Sequence, residues 1–131
     1  MCGRVMAVDP GDVRIGLAIS DPSGTIAQPL KVIVHRSRAQ DADAIIEEAK
    51  IHEVHKIVVG VPYDLEGEIG PQARKVLRLV DVLNEITELP IVLWDESGSS
   101  IQASEMSNSD SMLDARAAAV ILQEFLDAER T

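Results

Sequence analysis

The stretch Lys56-Ile57-Val58-Val59-Gly60-Val61 constrains this chain more than any other. After Lys56 it offers water no polar face, so a strand here must be covered on both sides. A strand buried on both faces belongs in the middle of a parallel sheet flanked by helices. The neighbouring sequence supplies such helices. Ser37 with Gln40 has the form of a capping box, and Ala42, Ile45, Ile46 and Ala49 follow at helical spacing. A loop rich in Gly and Pro runs from Pro62 to Pro71. Then Ala73, Val76, Leu77, Val80 and Leu83 mark a second helix that ends before Pro90. Ile91-Val92-Leu93-Trp94 reads as the last strand, and a closing helix is expected over about 112–129.

The N-terminal part adds strands without helices. Arg4-Val5-Met6-Ala7-Val8-Asp9 and Arg14-Ile15-Gly16-Leu17-Ala18-Ile19-Ser20 flank Pro10-Gly11-Asp12, whose turn chemistry predicts an antiparallel hairpin. A third extended stretch, about 26–35, contains Pro29, which cannot donate to a ladder and favours a sheet edge. The expected fold class is therefore α/β, a mixed sheet flanked by helices, with residues 1–131 forming a single domain. That length is enough to close one core. With aromatics at 2%, the core must be aliphatic. The lone Cys2 allows no internal disulfide, and no stretch resembles a signal peptide or spans a bilayer. A cytoplasmic protein without membrane contact is expected.

Charge narrows the function. A net charge of −10 and a pI near 4.6 oppose general nucleic-acid binding, which relies on Lys and Arg displacing counterions. The imbalance is local. Residues 1–60 carry seven basic and eight acidic side chains (7 − 8 = −1), and residues 61–131 carry five and fourteen (5 − 14 = −9). Residues 97–111 hold seven serines and no Lys or Arg. Any nucleic-acid site must be confined in area or use a metal ion against the acid.

Three acids stand where chemistry is usually placed. Asp9 closes the first strand, Glu96 follows the last, and Asp114 opens the final helix on the same stripe as Ala118, Ile121 and Phe125. Carboxyl ends of neighbouring strands converge on one crevice in open α/β sheets. Carboxylates gathered there repel unless a hard cation such as Mg²⁺ or Mn²⁺ joins them. Each acid has a structural alternative. Asp9 can bond backbone amides of its own turn, Ser111 to Asp114 matches a capping box, and Glu96 can be a solvated loop residue beside Asp95. These residues alone leave both readings open.

Longer strings carry a resemblance. Val8-Asp9-Pro10-Gly11, Arg14-Ile15-Gly16-Leu17-Ala18 and Ser20-Asp21-Pro22 resemble the opening of the YqgF family. That family is described both as Holliday junction resolvases and as nucleases maturing ribosomal RNA precursors. The likeness continues through Ala27-Gln28-Pro29-Leu30, Val59-Gly60-Val61-Pro62, Gly67, Gly70-Pro71-Gln72-Ala73 and Leu89-Pro90-Ile91-Val92-Leu93-Trp94-Asp95-Glu96. It ends with Asp114, Ala117-Ala118 and Ile121-Leu122-Gln123-Glu124-Phe125-Leu126. The resemblance implies a ribonuclease H-like fold, a bound Mg²⁺ or Mn²⁺, and hydrolysis of phosphodiesters in branched DNA or precursor ribosomal RNA. It implies Asp9, Glu96 and Asp114 as catalytic residues and metal ligands, and a homodimer is compatible with it. Arg14, Arg74, Lys75 and Arg78 are the candidate substrate contacts, the last three clustered on one helix as solvated faces also are.

The chain departs from the family in one region. After Asp95-Glu96 the family usually has Arg, then a hydrophobic residue and Thr, whereas this chain reads Ser97-Gly98-Ser99-Ser100, and the segment to Asp114 is shorter and lacks basic residues. This departure, with the net charge, defines the alternative: a non-catalytic acidic binding or regulatory module on the same scaffold. An Asp-x-Gly turn after a first strand also opens the actin-like and sugar-kinase ATPases, but those need a second such domain. His35, His52 and His55 show no metal-ligand spacing, and Trp94 is expected to pack rather than stack on bases.

Overall fold

A computed structural model describes residues 3–63, 68–95 and 113–129. Five strands, β1 (Val5–Pro10), β2 (Arg14–Ser20), β3 (Ala27–Val34), β4 (Lys56–Val61) and β5 (Ile91–Asp95), form one sheet in the order β3-β2-β1-β4-β5. β1, β2 and β3 are an antiparallel meander, while β4 and β5 run parallel to β1. The continuous apolar run is β4, which lies between two parallel neighbours with residues 57–61 buried. Pro29 sits on edge strand β3, and the register shifts at Leu17/Ala18, beside its pairing partner Ala18.

Strand alternation sorts the core into two layers. Met6, Val8, Ile15, Leu17, Ile57, Val59 and Val61 face helices α1 (Arg38–Ile51) and α2 (Pro71–Ile86), meeting Ile45, Val76, Leu79 and Leu83. Val5, Ala7, Ala18 and Val58 face helix α3 (Leu113–Glu129), meeting Ala118, Ile121, Leu122 and Phe125. Each large aliphatic side chain buried here contributes roughly 1.5–3 kcal/mol. Trp94 joins the α3 layer, its ring edge-on to Phe125 at 5.7 Å, so it packs as expected.

The helix starts follow their sequence signals. Ser37 Oγ accepts from the Gln40 backbone N–H at 3.2 Å. Gln40 Oε1 accepts from the Ser37 hydroxyl rather than from its amide, so only half of the capping box forms. α2 begins with Pro71, whose missing N–H costs nothing in a first turn. Met112 lies outside the described residues. None of the described helices is long and apolar enough to cross a membrane.

Candidate active site

Near the carboxyl end of β1 a helix lies directly against the sheet backbone. Asp9 is the penultimate residue of β1 and pairs with Gly16 of β2. By alternation it shares the face of Val5 and Ala7, the one α3 covers. Gly16 shows why a glycine is needed here: a Cβ on it would lie 1.9 Å from the Asp114 carbonyl oxygen, far inside contact distance. With no side chain in the way, the first turn of α3 rests on the backbone of β2. Asp114 is thereby set down one strand away from Asp9, on the same face.

Arg14 reaches into this corner from the start of β2. Its Nε donates to Asp114 Oδ2 at 2.9 Å, with the two side chains 56% and 33% exposed. The pair is half in water, so its energy is modest, and its effect is to hold the carboxylate in place. β5 is parallel to β1, as the crevice argument requires, but β4 stands between them. Two strand spacings of about 4.8 Å separate the ends of β1 and β5, a gap that side chains have to close.

The turn that follows Asp9 is tied to the opposite layer. Asp12 accepts from Gln72 Nε2 at 3.0 Å and from Lys75 Nζ at 3.3 Å, both on α2. The Gln72 hydrogen bond and the Lys75 ammonium hold the Asp12 carboxyl below its ordinary pKa. Gly11 makes the turn possible, since a Cβ there would meet the Arg14 carbonyl oxygen at 2.6 Å. The His35 backbone N–H donates to the Val13 carbonyl at 2.9 Å, and its ring pairs with the buried Asp41 carboxylate.

Comparison with known proteins bears on this arrangement. The family model described as "RuvX: Holliday junction resolvase" matches residues 3–128. The chain belongs to the RuvX family. A relative from Caldanaerobacter subterraneus, named "Putative pre-16S rRNA nuclease", is 40% identical over 97% of this chain and 98% of its own. The RuvX chain is also similar in fold to T. thermophilus RuvC in complex with a Holliday junction substrate. The TM-score is 0.63 at 15% identity, covering 98% of this chain and 96% of that one. For the fowlpox virus Holliday junction resolvase the TM-score is 0.58 at 10% identity, over 96% and 99%. The five-stranded mixed sheet with helices on both faces is thus the ribonuclease H-like fold that the sequence resemblance implies.

Within this RuvX chain the expected site residues are distributed unevenly. Asp9 pairs with Gly16 across the ladder, and the Asp114 backbone lies against the same glycine. Glu96 and Ser97 lie outside the described residues. Of the expected phosphate contacts, Arg14 is engaged by Asp114 and Lys75 by Asp12. Arg74 and Arg78 are exposed on α2. The donors present are carboxylates, hard oxygen ligands that suit Mg²⁺ or Mn²⁺ and not a thiolate-bound metal. Among the described residues no group of three His, Cys, Asp or Glu side chains could hold a metal ion. Sequence reasoning missed the tie from Asp12 to α2 and the His35–Asp41 pair. Asp12 was visible in its turn, but nothing local connects it with residues sixty positions away.

Proposed function

We propose that this chain is a divalent-metal-dependent nuclease that hydrolyses phosphodiesters in structured nucleic acid. The observation that carries the reading is the seating of α3 on Gly16, which sets Asp114 beside the strand pair that holds Asp9. In this reading Asp9, Asp114 and Glu96 are the metal ligands. The ion supplies charge to orient a water and to offset the phosphate. Arg14 restrains Asp114 and keeps a positive charge beside the acids, which lowers their mutual repulsion. Its half-exposed guanidinium also stands where an incoming phosphate meets the site. A precursor of 16S ribosomal RNA is the first substrate to test, because relatives near 40% identity bear that name while the solved junction resolvases are 15% identical or less. A cytoplasmic location accords with that substrate.

The test is cleavage of end-labelled precursor RNA and four-way DNA junctions, with and without Mg²⁺. Metal-dependent cutting of one of them is expected. Asp9→Asn should reduce it at least about a hundredfold, the scale on which removing one preorganised charge-stabilising group acts. One specific observation favours a second reading. Ser97 stands where the family resemblance leads one to expect arginine, in a chain of net charge −10. On that reading the protein binds nucleic acid or a partner without cutting, and inactivity on every substrate together with absent Mn²⁺ binding would select it.

A further inference from the structure

A cleft of about 430 Å³ opens on the other side of the β1–β2 turn from the acids, between α1 and α2. Its size falls in the ~300–1,000 Å³ range of small-molecule sites. Its floor is apolar: Ile15, Val76 and Leu79 line it and are at least 93% buried. The charged groups around it are of two kinds. Asp12 is satisfied by Gln72 and Lys75, and Asp41 by the His35 ring and the Arg36 amide. Arg38 of α1 and Arg78 of α2 also line the cleft, and neither has an ion pair or hydrogen-bond partner among the described residues. In a chain with 22 acidic and 12 basic side chains, two arginines left without acids at one cleft mark a local excess of positive charge.

An apolar floor beneath a cationic rim matches one chemistry well: a nucleotide, whose base covers aliphatic surface while its phosphate meets guanidinium groups. Pro10, Gly11 and Asp12 line the cleft and follow Asp9 directly, so one strand crossing that turn reaches both sites. We propose that this cleft holds one nucleotide of the substrate strand, with Arg38 and Arg78 taking its phosphates. The proposal rests on the nuclease reading for its partner, not for its geometry.

Binding without cleavage separates the two. A fluorescein-labelled single-stranded oligonucleotide is titrated with the full chain in EDTA across a salt series, followed by anisotropy. Arg38→Gln/Arg78→Gln should raise Kd at least tenfold and lower the salt slope by about 1.4, two contacts of about 0.7 each for a single strand. Both side chains are exposed, so circular dichroism should show an intact fold. Lys50→Gln, at the far end of α1, controls for general charge and should change Kd less than twofold. An unchanged Kd and slope in the double variant overturns the proposal, as does failure of the wild-type chain to bind. Loss of free AMP binding alone, with oligonucleotide affinity retained, overturns the placement of the nucleotide in a strand. If wild type cuts no substrate yet the double variant loses oligonucleotide binding, the nuclease reading falls and the cleft stands. Full Asp9-dependent cleavage with a double variant that binds normally gives the opposite result.

Discussion

The two faces of the sheet are built from the same alternating strands, yet they serve different ends. On the α1/α2 face the aliphatic layer runs through Met6 and Val8 of β1 and on to Val61 at the end of β4. On the α3 face it stops short. Val5, Ala7 and Ala18 are covered by apolar residues of α3, but the next position along β1 is Asp9, and the first turn of the helix lies against its pairing partner Gly16. One face is held together by aliphatic contacts as far as the cleft at its end. The other gives up a layer of packing to bring charged groups together, and a backbone-to-backbone approach at Gly16 sets their position.

That division can be broken most forcefully at Leu83, which is fully buried between α2 and the sheet. Leu83→Ala should cost about 2–5 kcal/mol in chemical denaturation. Turnover per folded molecule should stay near wild type, since Leu83 lies in the α1/α2 layer and the acids lie on the α3 face. A matching fall in specific turnover would mean the two layers are not separable.

Gly16→Ala tests the other face. Its methyl group has nowhere to go but into the Asp114 carbonyl, so α3 must shift. Overpacking of this kind costs about 1–3 kcal/mol. A displacement near 1 Å at a catalytic group costs about a hundredfold in rate. The expected signature is thus the reverse of that at Leu83, with the smaller loss of stability and the larger loss of turnover. Wild-type turnover in a folded Gly16→Ala chain would remove the geometric basis for placing Asp114 in the site.

Arg14→Gln is subtler. The pair with Asp114 is exposed enough that stability should change by less than about 1 kcal/mol. Without the guanidinium, Asp114 Oδ2 is released to a cation. Mn²⁺ should then bind about two- to fivefold tighter in a calorimetric titration, the equivalent of that lost ion pair. Weaker Mn²⁺ binding would show that Arg14 aids the ligands by holding Asp114 more than it competes with the ion.

These contrasts also explain what could be read from the chain. The β4 run, the Pro10-Gly11-Asp12 turn and the helix stripes are local patterns, and all reappear in the fold. Asp9 was visible because a strand end is local too. The significance of Gly16 was not, since a glycine within an apolar strand looks like mere weakness until a helix a hundred positions later is laid on it. The cleft likewise needs α1, α2 and the first turn in space together. Nothing in the spacing of Arg38 and Arg78 announces that they share it.

The smallest expected effect compares two aspartates that brace the meander at opposite ends. Asp12 ties the β1–β2 turn to α2. Asp21 closes the β2–β3 loop, where it accepts from the Ser23 hydroxyl and from the Thr25 and Ile26 amides at 2.8 and 3.0 Å. The Ser23 hydrogen bond and those amides pull its pKa from 3.8 down to about 2. A folded-state pKa below the unfolded one means the carboxylate adds stability that is complete above about pH 4 and is lost as pH falls towards 2. Both groups lie at the surface, so each contribution is small. Asp21→Asn should lower the midpoint slightly above about pH 4 and converge with wild type as pH falls towards 2, which flattens the acid limb of the stability curve. Asp12→Asn should have a similar but weaker effect on the same limb, its carboxyl being lowered less. Urea midpoints measured from pH 2 to 7 would resolve the order. A flatter acid limb in Asp12→Asn than in Asp21→Asn would reverse it, and would make the turn beside Asp9 the more strongly braced of the two.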